Sequence, residues 1–349
     1  MLTTMRHATG MALTFAALGL SSIAARADEF RLESATLPAP LLVDGKTDTV
    51  IEASGVEPIG DGRRFLLAHD KLPGLYVVEA ATGRVLGPPI VSEKFPAPSK
   101  IGPKWEGMAL DPEGQYYLIG AHVGKTDEEQ TAKSYLFRFR LKDGANGLPA
   151  IDEATLVRWH IARSLVAALK AAGVDDAGVA KRKIEGLAFR QVKAAGGQVR
   201  RELVIGLREP GDKVRAFTAD ITNASPDAEL DLSLVFAFEA DPREGVESQL
   251  TSLEHVPALG GFLVLTASED AANAFHGNSL WFVADGQTGH ARKIATFEVA
   301  MKAEGLTVLG VEQTPGRTAV KLLVTYDNDP HATKIPSRFQ TVTLVREPR

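Results

Sequence analysis

The chain has 349 residues, and its 39 Lys and Arg against 44 Asp and Glu give a formal net charge of −5 at pH 7. This mild acidity, without a basic run or interleaved basic and aromatic residues, argues against a nucleic-acid partner. Cysteine is absent, which excludes disulfide bonds, thiol nucleophiles and thiolate metal ligands. A chain of this length can bury a large core without disulfides.

The N-terminal segment 1–27 is predicted to be a secretory signal peptide. A short basic region precedes an apolar run over 11–20, and Ala25-Arg26-Ala27 fits a signal-peptidase site. The apolar run is shorter than the roughly 20 residues that span a bilayer. We therefore predict that residues 28–349 form a single domain, periplasmic or secreted, without a membrane span.

A Glu-Gly motif recurs along the chain. Its clear copies are Trp105-Glu106-Gly107, Ile184-Glu185-Gly186 and Ala303-Glu304-Gly305, each followed by alternating apolar residues. Weaker copies lie at Ala53-Ser54-Gly55 and Leu250-Thr251-Ser252. Similar stretches spread along one chain indicate a repeat architecture.

Further short runs of β-branched and aromatic residues follow each copy, separated by turn residues such as those of 111–114. Strands grouped in fours at a period of about 40–50 residues are typical of propeller blades. The last group lacks a fourth strand, and the run 30–37 would supply it and remove an open sheet edge. We predict an all-β fold, a β-propeller of five four-stranded blades closed by an N-terminal strand. Six blades, or a two-sheet sandwich, are the alternatives.

One inserted segment, 161–174, departs from the strand pattern. Ile161, Leu165 and Leu169 recur at helical spacing, and the alanine content favours a helix. The helix is predicted to lie between the second and third blades. It would either pack against the blade edges or cover the channel mouth as a lid, with the basic run 181–183 behind it.

Polar residues are predicted to gather at one mouth of the central channel. In a propeller, the starts of the innermost strands and the ends of the second strands approach the same face. The innermost strands would contribute Ser54, Glu106, Glu185, Thr251 and Glu304. The second strands would contribute His69, Asp70, Lys71, His122, Arg208, Glu209, Glu269, Asp270, Asp327, Asn328 and Asp329, with His276 and His331 as further candidates.

Converging glutamates repel one another, and burial raises their pKa unless a cation intervenes. A divalent cation such as Ca²⁺ would take carboxylate oxygens, and basic side chains would neutralise them equally well. A third alternative is structural, in which each glutamate only accepts backbone N–H groups between blades. The candidate metal ligands are Glu106, Glu185, Glu304, Asp327 and Asp329, and the candidate basic residues are Lys71, Arg208, His69 and His122.

Several of these motifs resemble those of a known family. In order they are Ser54–Val56, Trp105–Asp111, Ile184–Arg190, Leu207–Pro210, Ala267–Asp270 and Tyr326–Asp329. They resemble a bacterial family of exported proteins catalogued as a domain of unknown function, and the likeness covers most of the chain beyond the leader. More distantly, the Glu-Gly strand starts are similar to those of esterase-like phytase and gluconolactonase-type β-propellers. The acid-and-asparagine ligand set of the lactonases is not reproduced residue by residue.

The resemblance implies a metal-dependent hydrolase of a small phosphoester or lactone. The metal would polarise the substrate and activate water, while His69 or His122 would move protons. Arg208 and Lys71 would hold an anionic group of the substrate. The alternative is a non-catalytic propeller that binds a ligand or a partner through the same polar face.

Overall fold

The computed structural model describes residues 29–43, 51–70, 74–95, 104–121, 135–175, 179, 182–194, 196–209, 211, 213–272, 274–297, 300–327 and 335–347. These residues form a five-bladed β-propeller with one α-helix of more than a single turn. The predicted signal peptide lies outside the described residues.

The blades follow one another in chain order, and each sheet is antiparallel. Blade 1 contains β3 (Ala53–Ile59), β4 (Arg64–His69) and β5 (Leu75–Glu79). Blade 2 contains β6 (Trp105–Leu110), β7 (Gln115–Gly120), β8 (Tyr135–Asp143) and β10 (Val157–His160), with β9 (Pro149–Ile151) paired to β8. Blade 3 contains β11 (Lys183–Lys193), β12 (Val199–Arg208), β13 (Lys213–Asp220) and β14 (Ser233–Glu239). Blade 4 contains β15 (Ser248–Val256), β16 (Gly261–Glu269), β17 (Phe275–Ala284) and β18 (Arg292–Phe297).

Blade 5 joins the two ends of the described chain. Its strands β19 (Lys302–Thr314), β20 (Arg317–Asp327) and β21 (Arg338–Glu347) are completed by β1 (Glu29–Ala35), and β2 (Ala39–Pro40) also pairs with β21. The pairing of β1 with β21 runs from Glu29 opposite Glu347 to Ala35 opposite Val342. Five blades and closure by an N-terminal strand are both confirmed.

In blade 1, the apolar run 85–91, which the grouping of strands in fours predicts to be the fourth strand, forms only two isolated bridges. Val85 pairs with Val78, and Ile90 pairs with Leu75. Gly87, Pro88 and Pro89 lie between the two bridges. Proline has no N–H to donate to a sheet ladder, so the pairing is interrupted there.

Hydrophobic cores fill the spaces between adjacent blades. The core between blades 2 and 3 includes the helix α1 (Ala162–Ala171), whose Leu165 and Leu169 are fully buried beside Trp159 of β10. Packing between blades is therefore the observed role of this helix. Within the described residues, no helix combines the length and the apolar character that crossing a membrane requires.

The innermost strands β3, β6, β11, β15 and β19 form a closed ring, in which each contacts the innermost strand of the next blade. The glycines of the repeated motif permit this close approach. A Cβ atom on Gly55 would lie 2.6 Å from the backbone nitrogen of Met108, and one on Gly107 would lie 2.8 Å from that of Leu187. The recurrent glycine is thus a requirement of packing around the axis.

Candidate functional site: an acid–lysine cluster at the channel mouth

Three glutamates converge where the innermost strands begin, which we call the upper mouth of the channel. Glu106, Glu185 and Glu304 lie near the starts of β6, β11 and β19. One carboxylate oxygen from each lies within 4.8 Å of the other two, and all three residues are buried. The fold therefore brings together three acids that are far apart in the sequence.

Two lysines lie among these glutamates. The Lys183 ammonium nitrogen is 2.6 Å from Glu106 Oε1 and 2.9 Å from Glu185 Oε1. The Lys302 ammonium nitrogen is 2.5 Å from Glu304 Oε1. We call these five residues the acid–lysine cluster.

Lys302 was not predicted as a site residue, and Lys183 was predicted only as part of the basic run behind the helix. A signal for both was present, because each clear copy of the motif reads Lys-x-Glu-Gly: Lys104, Lys183 and Lys302 precede their glutamates by two positions. Side chains two residues apart in a strand point to the same face. Lys183 and Lys302 each contact the glutamate that follows them by two positions, whereas Lys104 contacts Asp70.

Further charged residues surround the cluster. Arg208, at the end of β12, is 3.5 Å from Glu185 and 3.4 Å from Glu269, and its Nε donates to Gln249 Oε1 at 2.6 Å. Lys302 is also 3.3 Å from Glu269. Arg208 and Glu269 thus reach the cluster from second-strand ends, as the sequence pattern indicated.

Two aspartates, Asp70 and Asp327, lie beside the acid–lysine cluster. Lys104 contacts Asp70 at 3.1 Å, and Ser337 Oγ donates to Asp327 Oδ1 at 3.0 Å. Although burial acts in the opposite direction, Lys183 and Lys104 lower the pKa of Asp70. Burial, with the neighbouring Glu304 charge, raises the pKa of Asp327 to about 7.

The remaining candidates occupy different surroundings. Ser54 Oγ lies 2.8 Å from the carbonyl oxygen of Glu106, so it links blades 1 and 2. His69 is buried at the end of β4, with its ring centroid 5.8 Å from that of Tyr76. His276 pairs with Glu244 and Asp270. Lys71, His122, Asp329 and His331 lie outside the described residues.

The three glutamates of the acid–lysine cluster differ in the direction of their pKa shifts. Burial raises the pKa of Glu106 well above its ordinary value, helped by repulsion from Glu185. Burial also raises the pKa of Glu304, against the opposing effect of Lys302. Burial acts upward on Glu185 as well, but Lys183, Lys302 and Arg208 together hold its pKa below the ordinary value. Lys183 and Arg208 thus contact Glu185, and Lys302, which pairs with Glu304, also favours the ionised form of Glu185.

The cations form the more accessible side of the cluster. The side chains of Lys183, Lys302 and Arg208 are 21%, 15% and 26% exposed, whereas those of Glu106 and Glu185 are 1% and 0% exposed. A molecule that approaches this part of the upper mouth meets ammonium and guanidinium groups before it meets the glutamates.

The glutamates suit a hard cation in ligand type, because Ca²⁺ prefers carboxylate oxygens. The two ammonium groups, however, already lie 2.5 to 2.9 Å from an oxygen of each of the same three carboxylates. Lys183 and Lys302 therefore supply the positive charge that a metal would supply, and a metal could bind here only if they moved away. In the arrangement observed, the residues do not fit a metal.

Comparisons with known proteins find solved structures of low similarity. No protein-family model matches the chain, and no curated protein sequence matches it. An endo-arabinase from Bacteroides thetaiotaomicron is 11% identical, with a TM-score of 0.42 and coverage of 88% of this chain and 96% of that one. The calcium-binding protein regucalcin from Agrobacterium tumefaciens is 9% identical, with a TM-score of 0.39 and coverage of 86% and 93%. A protein assigned as a gluconolactonase is 12% identical, with a TM-score of 0.36 and coverage of 85% and 76%.

At such low TM-scores and identities, these likenesses carry no argument about activity. Fold and site together define the class of protein: a five-bladed β-propeller with an acid–lysine cluster at one mouth of its channel. The resemblance to an exported bacterial family remains a prediction.

Proposed function

We propose that the protein binds a small anionic molecule, a phosphoester or a carboxylate, at the upper mouth of the channel. The observation that carries this proposal is the convergence of Lys183, Lys302 and Arg208 on Glu185, with the cations on the accessible side. The signal-peptide pattern of 1–27 supports the further proposal that binding takes place in the periplasm or outside the cell.

The chemistry of the cluster suits an anion. Hydrogen bonds from ammonium or guanidinium groups to an anion are shorter and stronger than neutral ones, and a guanidinium can bind a phosphate or carboxylate in a bidentate manner. Glu106 and Glu304, whose pKa values are raised, add less negative charge than ordinary glutamates would. An incoming anion therefore meets less repulsion than it would from three fully ionised glutamates.

Replacing Arg208 with methionine is expected to weaken phosphate binding about tenfold or more, because one charge-assisted hydrogen bond contributes about 1.5–3 kcal/mol. The measurement is isothermal titration of inorganic phosphate and of methyl phosphate into the purified protein. The matched control is Arg317→Met, since Arg317 is 29% exposed and pairs with Glu33 at the outer part of blade 5. An Arg208→Met protein that is folded and binds phosphate like the wild type would contradict the proposal.

A second candidate function is hydrolysis of a small phosphoester or lactone with the help of a divalent cation, Ca²⁺ first. It is favoured by the three carboxylate oxygens within 4.8 Å of one another and by Asp327, whose pKa of about 7 suits proton transfer at neutral pH. It requires that Lys183 and Lys302 leave the glutamates when the cation binds.

Metal uptake separates the two candidates. If a cation binds at the triad, the double substitution Glu106→Gln and Glu185→Gln is expected to abolish the bound metal found by elemental analysis, while Glu312→Gln on the exposed part of β19 leaves it unchanged. Hydrolysis of phosphoesters and lactones is measured in the same samples with and without chelator. A wild-type protein that contains no metal after exposure to Ca²⁺ rules out this candidate and leaves anion binding standing.

A further inference from the structure

A second cavity, of about 540 Å³, lies at the opposite end of the channel. Its lining comes from the far ends of the innermost strands, which we call the lower mouth. Apolar walls come from Leu110, Phe189 and Val308, on β6, β11 and β19. Two glutamates, Glu57 of β3 and Glu254 of β15, also line it. All five innermost strands thus contribute to one cavity.

Glu57 is buried at this cavity without full pairing. It is 2% exposed, and its Oε2 accepts a hydrogen bond from Thr307 Oγ1 at 2.8 Å. Its other oxygen, Oε1, has no hydrogen-bond partner among the described residues. An unmet buried acceptor costs about 1–3 kcal/mol, and more when the group is charged. A ligand that donates to this oxygen would relieve that cost.

The basic residues around the lower mouth add little positive charge to its interior. Arg190 pairs with Glu202 at 2.7 Å. His255 lies 3.2 Å from Asp285, and burial lowers its pKa, which disfavours its charged form. Lys193 is exposed at the rim.

The other titratable groups near Glu57 do not neutralise it either. Asp111 pairs with Arg201, and the Tyr116 hydroxyl donates to the carbonyl oxygen of Pro58 at 2.9 Å. None of the ion pairs within the described ranges involves Glu57 or Glu254.

Burial without a nearby cation favours the protonated form of both carboxyl groups. Burial raises the pKa of Glu57 to about 8. Burial, together with the nearby Glu57 charge, raises the pKa of Glu254 well above its ordinary value. A bound cation would take the place of a proton here, because it supplies the positive charge that the cavity lacks.

We propose that the lower mouth binds a small organic cation, a primary ammonium compound with an apolar body. The ammonium group would lie between Glu57 and Glu254, and the body would pack against Leu110, Phe189 and Val308. A bare metal ion suits the cavity less well, because Ca²⁺ takes six to eight oxygen ligands. The apolar walls instead match the lining of small-molecule sites, in which a few polar groups fix the orientation.

Phenethylamine is the probe, and 2-phenylethanol is its uncharged control of similar shape. Titration calorimetry or ligand-observed NMR on the full protein is expected to show at least tenfold weaker binding of the alcohol. Glu57→Gln and Glu254→Gln should each weaken phenethylamine binding tenfold or more, while Glu312→Gln leaves it unchanged. Thermal unfolding of each variant tests whether it is folded. The glutamine variants are expected to fold, because a neutral amide resembles a protonated carboxyl group in size and polarity.

The binding of phenethylamine should also become tighter as the pH rises. Below the pKa of Glu57 a proton must leave when the ammonium enters, so affinity should rise by up to about tenfold per pH unit from about pH 6 to about pH 8. Equal binding of the alcohol, wild-type affinity in both glutamine variants, or no binding at millimolar phenethylamine would each overturn the proposal. Phosphate binding at the upper mouth, measured in the same samples, tests the proposed function independently.

Discussion

Replacing Gly305 with alanine is expected to destabilise the propeller by about 3 kcal/mol, the upper part of the usual range for overpacking. An added Cβ would lie less than 3.0 Å from the backbone oxygen of Ser54 and from the Thr325 side chain. The Ser54 oxygen belongs to β3, the innermost strand of blade 1, and cannot rotate away as a flexible side chain would. The substitution therefore forces blades 5 and 1 apart where the ring closes.

Gly310→Ala is the matched control, because Gly310 lies in the same strand and a Cβ there meets nothing within 4 Å. In a strand interior, alanine restricts the unfolded chain more than glycine does, so this change is expected to be neutral or to stabilise slightly. Urea unfolding followed by fluorescence and by circular dichroism measures both variants. Equal midpoints for the two would show that the motif glycine is not required for packing.

Replacing Lys183 with methionine is expected to cost about 3–5 kcal/mol at neutral pH, as is typical when one partner of a buried ion pair is removed. Glu106 and Glu185 would lose the ammonium group that lies within 2.9 Å of both. Lys142→Met is the control, since Lys142 is 55% exposed and its contact with Asp152 is 3.8 Å. An exposed pair of this kind contributes about 0–1 kcal/mol.

The pH dependence of the Lys183→Met defect has a definite sign. In the wild type, Glu185 has a lowered pKa, so its stabilising contribution is present above the pKa of the unfolded chain and is lost as the pH falls through the folded value. The difference between the two proteins should therefore shrink toward about pH 4, where carboxylates take up protons. Adding Glu106→Gln and Glu185→Gln to Lys183→Met should recover part of the lost stability at neutral pH. A defect that is the same at both pH values would contradict the ion-pair explanation.

The sequence predicted the fold well because the repeat is internal to the chain. Three copies of Lys-x-Glu-Gly mark the same position in three blades, and turn residues separate the strands that follow. The closing strand was predictable because the last group lacks one strand and an unpaired run stands near the N-terminus. The apolar residues of 85–91 predict a fourth strand in blade 1, but Pro88 and Pro89 interrupt its pairing, and only two isolated bridges form.

The candidate site was predicted in position but not in chemistry. Propeller topology places Glu106, Glu185 and Glu304 at one mouth, and the structure brings them within a few ångströms. Whether a metal ion or a basic side chain neutralises these glutamates depends on distances between side chains of different blades. The spacing of residues along the sequence does not give those distances. The lower mouth was missed for a related reason. Glu57 and Glu254 each lie toward the far end of an ordinary strand, and only closure of the ring makes them neighbours.

The pairing of β1 with β21, which closes blade 5, has a consequence for self-association. The first and last described strands, β1 and β21, are held side by side by backbone hydrogen bonds, by the Arg31–Glu347 ion pair and by packing of Phe30, and no disulfide joins them. If β1 detaches, the edge of β21 becomes free to accept β1 from a second molecule, with the same register and the same side-chain contacts. Two copies that exchange this strand would form a dimer whose blades are indistinguishable from those of the monomer.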